Sequence, residues 1–345
     1  EASLFLDPSP ARRLALARFL LGRAQPFDAL AVLDAAAAPA SDAVAARLDA
    51  LGAVAATLAG RPERAEALMP PSTAVDPAAA DADSGAERWL WRGMLAAARE
   101  EWAKAGEAFA RSGQAWRDYP LPLRRRVAER AAATALALDA PGVAQSVLHQ
   151  VETDDLAQPV VGALALLEAR ALVALGEQVA ARDRLVELEG AAGAPALARR
   201  ARFARVRLDH AEGALDDAAA REVLEADVVG WTGRDDGASF WGFLAERRAA
   251  TGDAPGAFAA WRRAGVEDFN APQRAVIDAL VADEPPFEGA LADAVVVVQA
   301  YVDGLAAGTA RVELLRRLAA RVAAETDALH VADRLYQRAL AEPVP

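Results

Sequence analysis

The chain has 345 residues, 54% hydrophobic but only 6% aromatic, with a formal net charge of −12 and a pI near 4.9. The acidic balance argues against a general nucleic-acid binder, which needs a basic footprint to release counterions. The lack of cysteine excludes disulfides, thiolate metal ligands and Cys nucleophiles, and no uninterrupted apolar run reaches the roughly 18 residues of a membrane span.

Much of the hydrophobic content is alanine, the best helix former, which adds little core volume. Val, Ile and Thr never alternate over a strand length, so closely packed helices and no sheet are expected. Lys104 is the only lysine. This arginine bias is what a high-GC bacterial genome writes, with selection for guanidinium chemistry as the alternative. The chain opens on Glu1 rather than Met, with no signal-peptide pattern, as a mature form or an excised piece would.

In chain order, a small residue followed four positions later by a bulky one recurs at Ala29/Leu33, Ala65/Met69, Ala105/Phe109, Ala144/Leu148 and Ala181/Leu185. It continues at Ala220/Leu224, Ala257/Trp261, Ala294/Val298 and Ala332/Tyr336. Successive alanines lie 36, 40, 39, 37, 39, 37, 37 and 38 residues apart. Turn signals precede most pairs: Gln25-Pro26, Gly60-Arg61-Pro62, Asp139-Ala140-Pro141-Gly142, Gly176, Gly213 and Gly252. Each unit therefore reads as helix, tight turn, helix.

Two stretches interrupt the period. Residues 70–86, PPSTAVDPAAADADSGA, are Pro-rich and acidic without apolar periodicity, and read as a flexible linker. Val229 to Ser239 carries three glycines around Trp231 and reads as a protruding loop. The expected domains are thus 1–69 (helical hairpins), 70–86 (linker) and 87–345 (helical solenoid). Later, Asn270 is placed to cap a helix from Ala271 to about Asp283, ended by Pro285-Pro286. Its partner runs from Glu288 to Gly308, with Val295 to Val298 as packed core.

The stretch Trp241 to Ala264, WGFLAERRAATGDAPGAFAAWRRA, carries the fullest motif: Trp241, Leu244 and Ala245, a Gly-Asp-Ala-Pro turn, then Ala257 and Trp261. Trp89 and Gly93 stand likewise before Ala105/Phe109, and Ala332-x3-Tyr336-x2-Ala339 precedes Pro343. These residues resemble the tetratricopeptide repeat, W-x2-L-G-x2-Y, then A-x3-F, then P. The period here is near 38 rather than about 34, and most units lack the family's Trp, Gly and Tyr together. The resemblance implies an all-α superhelical solenoid of about nine antiparallel hairpins.

Catalytic signatures are missing. There is no phosphate loop, dinucleotide fingerprint, HExxH or G-x-S-x-G. His149, His210 and His330 lie far apart, and adjacent acids such as Asp216-Asp217 point about 100° apart on a helix. No cofactor or metal is expected. Arginines cluster at Arg124-Arg125-Arg126 with Arg130, and at Arg199, Arg200, Arg202, Arg205 and Arg207. In the second cluster Leu197, Ala201, Ala204 and Leu208 form one narrow apolar stripe, so the arginines are expected on an exposed face.

In tetratricopeptide arrays the first helices line a concave groove. Carried onto this chain, the groove positions are Arg126, Glu129, Arg170, Arg202, Arg205, Asp209, Arg317 and Arg321. The carboxylate clamp of some family members uses Lys and Asn; Lys104 and Asn270, each the only one of its kind, do not stand there. The resemblance implies a non-catalytic interaction scaffold for an acidic protein or peptide segment. Ala11 to Leu33 resembles repeat regions of bacterial cell-envelope and flagellar assembly proteins, which leans the expected compartment to the periplasm over the cytoplasm. Two alternatives stand beside it: a regulator or non-catalytic helical part of a peptidoglycan-acting enzyme, and a self-assembling ring or filament component.

Overall fold

A left-handed residue recurs along the backbone at Ala24, Gly60, Glu100, Asp139, Gly176, Gly213 and Gly252. After each, the next amide donates to the carbonyl five residues back, as in Gln25 to Leu20 (2.9 Å), Glu101 to Ala96 (3.0 Å) and Asp253 to Arg248 (2.8 Å). This bond closes one helix and reverses the chain into the next. Four of the seven positions are glycine, which adopts the conformation without steric cost. Proline follows in the first turn of the new helix at Pro26, Pro62, Pro141 and Pro255, where its missing N–H matters least.

The computed structural model describes residues 9–35, 42–69, 82–151, 159–191, 193–231, 234–282, 291–305 and 308–343. Among them are eighteen α-helices and no strand. They fall into nine consecutive pairs: α1 (Pro10–Gly22) with α2 (Pro26–Asp34), α3 (Asp42–Leu58) with α4 (Pro62–Leu68), and α5 (Ala82–Ala98) with α6 (Trp102–Ser112). Next come α7 (Leu121–Ala137) with α8 (Pro141–Leu148), α9 (Pro159–Ala174) with α10 (Gln178–Glu189), and α11 (Pro195–Ala211) with α12 (Asp217–Ala226). The last are α13 (Arg234–Ala250) with α14 (Ala254–Arg263), α15 (Ala271–Ala279) with α16 (Leu291–Gly304), and α17 (Thr309–Glu325) with α18 (Leu329–Ala341). The chain divides into two compact units, Glu1–Arg202 and Phe203–Pro345, with the boundary inside α11.

All nine periodic alanines are buried, each on the second helix of its pair. A methyl group there lets the second helix lie close to its neighbours. The first helix makes room in return. A Cβ at Gly93 would sit 2.9 Å from the Phe109 ring, so this glycine is what lets α5 and α6 pack flush. The N-terminal unit has its core around Leu90, Trp91, Val127, Leu148 and Leu164, with a second cluster around Leu21, Leu30 and Ala56. The C-terminal unit is centred on Phe203, Phe240, Leu244, Trp261 and Leu315.

Several expectations are corrected. Tyr336 is exposed, and Leu335 fills the core beside Ala332. Val296 is exposed while Val297 and Val298 are buried, because four consecutive helical residues cannot all face one core. The cap on α15 forms as a full box, with Asn270 and Gln273 bonding each other's backbone amides, but the helix ends at Ala279. Residues 283–290, with the Pro pair, lie outside the described residues, as do 70–81 of the expected linker. Ala82 to Ala86 of that linker belong to α5, where alanines and Glu87 restore helix propensity. Trp231 is no protruding loop: it is buried, stacked on Phe240 at 4.5 Å and edge-on to Phe203 at 5.5 Å, and α13 starts at Arg234.

Candidate protein-binding surface

The eight groove residues divide between the units: Arg126, Glu129, Arg170 and Arg202 in the first, and Arg205, Asp209, Arg317 and Arg321 in the second. Arg126 is exposed on α7 and paired one turn along with Glu129 at 3.3 Å. Arg170 is exposed on α9, which touches α7, and has no ion-pair partner among the described residues. Both guanidinium groups face solvent, on first helices that touch.

The other arginine positions are less exposed. Arg202 is half-buried and reaches Glu189 at 3.4 Å; Arg205 is half-buried and reaches Asp209 at 3.2 Å, and Asp209 itself is buried. The expected exposure fails because α11 buries Phe203, Val206 and Leu208 together with Ala201, a wider face than the four-residue stripe suggested. Arg317 sits 3.8 Å from the Asp278 carboxylate. Arg321 is buried, bonds Glu325 through Nε at 2.6 Å, and donates to the Leu280 carbonyl at the end of α15. Its donor fork closes a helix end.

Sequence reasoning missed a second group of arginines on first helices of the N-terminal unit. α1 touches α3 and α7, α3 touches α5, and α5 touches α7, so these four first helices close on one another. Arg13 on α1 and Arg124 on α7 each carry a buried guanidinium nitrogen, Nη1 and Nε respectively, with no hydrogen-bond partner among the described residues. Arg88 and Arg92 stand one turn apart on α5; burial, then the charge of Arg88, push Arg92 below the usual guanidinium range. Arg88 has no carboxylate partner among the described residues. Arg92 and Arg111 also flank the Trp89 ring, at 5.2 and 4.5 Å from its centre. The available signal was the Arg88-x3-Arg92 spacing beside Trp89, which gives two cations on one face.

The C-terminal unit handles its charges differently. His210 lies between Asp217, at 3.0 Å, and the Arg247 guanidinium, with its ring edge-on to Phe243. Arg221 and Arg248 converge on Glu225 at 2.9 and 3.1 Å. Burial raises the Glu225 pKa, but the bonds and charges of the two arginines outweigh it and hold the carboxyl below its usual range. These networks tie α11, α12, α13 and the start of α14 together. No group of metal-ligating side chains occurs among the described residues, and no helix there is long and apolar enough to cross a membrane.

Paired helices, left-handed turns and buried alanines at a period near 38 define a tetratricopeptide-like helical repeat fold. Among solved structures, the apo form of RapI has the same kind of fold, with a TM-score of 0.52 over 96% of each chain at 9% identity. The Cut9 and Hcn1 hetero-tetramer of the APC/C matches at a TM-score of 0.46 and 15% identity, covering 95% of this chain and 55% of that one. At such identities the likeness concerns fold alone. No protein-family model and no curated protein matches the chain.

Proposed function

We propose that the protein is a non-catalytic scaffold that holds an acidic protein segment against the first helices of its N-terminal unit. The observation that carries this reading is the pair of guanidinium nitrogens on Arg13 and Arg124, buried and without a partner among the described residues, on helices that touch. A buried donor without an acceptor costs about 1–3 kcal/mol, which a carboxylate supplied by a partner would recover as a charge-assisted bond. Arg88 on α5, with Arg126 and Arg170 on α7 and α9, extends the basic character along neighbouring first helices. The chain's overall net charge of −12 disfavours indiscriminate anion binding. The sequence's lack of catalytic motifs supports the non-catalytic reading. The setting we propose is bacterial cell-envelope or flagellar assembly on the periplasmic side, supported by the resemblance of Ala11 to Leu33 alone.

The test is titration of a fluorescent Glu-rich peptide onto wild type and onto Arg88→Gln with Arg124→Leu. The double variant should melt no lower than wild type, since it removes an unsatisfied buried charge, and should bind at least about tenfold more weakly, roughly 1.4 kcal/mol. Arg126→Glu with Arg170→Glu should also weaken binding while lowering the melting temperature only slightly, because both side chains are exposed and the change gives up only the surface pair of Arg126 with Glu129. Unchanged peptide affinity in both double variants would place the partner elsewhere.

A further inference from the structure

In the seven left-handed hairpin turns, the residue just before the left-handed position is Arg23, Ala59, Arg99, Leu138, Leu175, Glu212 or Thr251. Leucine stands there only in the fourth and fifth hairpins, and both side chains are open to solvent, 44% for Leu138 and 38% for Leu175. Each of these turns adds an exposed valine early in its second helix: Val143 on α8 (58%) and Val179 on α10 (71%). Because α9 packs along both α7 and α8, the two hairpins stack and present their turns side by side. Residues 131–148 and 171–181 contain no lysine or arginine. The only charged side chain of each stretch is a carboxylate, Asp139 in the first and Glu177 in the second. Both are exposed, and neither has an ion-pair partner among the described residues. Two adjacent turns thus share one apolar strip that carries two unneutralised carboxylates.

That combination selects its occupant. Covering the leucines and valines is favourable in proportion to the apolar area removed from water. The same cover brings Asp139 and Glu177 to the rim of the contact, where only a cation complements them. Spacing adds a second constraint. Stacked helices lie about 8–10 Å apart, and seven residues of a helix rise about 10 Å. A helix laid across the two turns therefore sets residues i and i+7 of its apolar stripe on the Leu138–Val143 and Leu175–Val179 pairs, with its flanking positions over the carboxylates. We propose that the paired turns of the fourth and fifth hairpins are a docking surface for a basic amphipathic helix of a partner protein. This surface is separate from the site for an acidic segment: it lies at the hairpin turns rather than along the first helices, and its charge is of the opposite sign. The chain's overall net charge of −12 speeds the approach of such a helix.

Fluorescence anisotropy of the whole chain with a labelled amphipathic leucine–lysine peptide tests this, beside a scrambled peptide of the same composition that has no apolar face. Wild type should bind the amphipathic peptide at least about tenfold more tightly than the scrambled one, roughly 1.4 kcal/mol. Val143→Ser with Val179→Ser should weaken it at least about tenfold at an unchanged melting temperature, since both valines are exposed. Asp139→Asn with Glu177→Lys should weaken it as much and make the remaining binding less sensitive to salt. The Glu-rich peptide that reports the first-helix site should bind both double variants as it binds wild type, so the two surfaces succeed or fail separately. Equal binding of the scrambled peptide, or unchanged affinity in either double variant, would overturn the proposal. So would a wild type that self-associates in sedimentation and becomes monomeric on Val143→Ser with Val179→Ser, because the strip would then belong to a second copy of the chain.

Discussion

Ala24, Glu100 and Asp139 hold the left-handed conformation that glycine holds at the other four hairpin turns. A side chain there costs about 1–2 kcal/mol, with Asp the best tolerated of the three. Ala24→Gly and Glu100→Gly are therefore expected to stabilise the protein by about 0.5–1 kcal/mol each, after the extra unfolded-state freedom of glycine is deducted, and Asp139→Gly by less. Urea denaturation of the three variants checks this, and lower midpoints would show that the side chains make turn contacts worth more than the strain. Gly93 is the reverse case. Alanine is intrinsically favoured there by about 1 kcal/mol, yet its Cβ would meet the Phe109 ring. Gly93→Ala should lower stability by about 1–3 kcal/mol, and adding Phe109→Leu should give much of that back; a neutral Gly93→Ala would mean that the two helices slide apart freely.

The α12 to α14 segment shows how one element is fastened to the next. Arg221 and Arg248 share the Glu225 carboxylate, Arg221 donates to Thr251 Oγ1 at 3.0 Å, and Arg248 donates to the Gly256 carbonyl at 3.1 Å. Because the folded-state pKa of Glu225 lies below its ordinary value of 4.5, its stabilisation is present above that pH and is lost as pH falls through the lower folded-state value. Glu225→Gln should cost roughly 1–2 kcal/mol at neutral pH, discounted for its partial exposure, and the gap from wild type should close in acid. A gap that persists at the lowest pH would point to lost packing instead. Ala257→Leu, at a fully buried helix contact, should cost about 1–3 kcal/mol by overpacking at any pH. The hairpin turns and the alanine contacts were legible in the sequence because backbone reversal and close helix approach leave only a few residues acceptable. The arginines were not. A guanidinium at a given helical position can face solvent, as Arg170 does, or close a helix end, as Arg321 does, and only tertiary packing decides between them. Trp231 was misread for the same reason, since its flanking glycines record a local bend and not the Phe203 and Phe240 rings that cover it.

On the scale of the whole molecule, each unit has a core of its own, and the boundary falls within α11 rather than at a connecting turn. A fragment of residues 195–345 keeps α11 entire, along with the aromatic cluster of Phe203, Trp231, Phe240 and Phe243. It should be helical and melt cooperatively, as circular dichroism would record; a fragment without a transition would mean that the second core depends on the first 194 residues. The row of similar left-handed turns has a mechanical consequence. Contacts in such a repeat fold run mainly between neighbouring hairpins, so under a tension that all of them bear alike the hairpins can open one at a time rather than all at once. Each turn that opens frees one repeat of chain, about 13 nm when drawn straight. The protein would then yield in a series of small, nearly equal steps, and the glycine turns and the strained non-glycine turns would set which clasps give first.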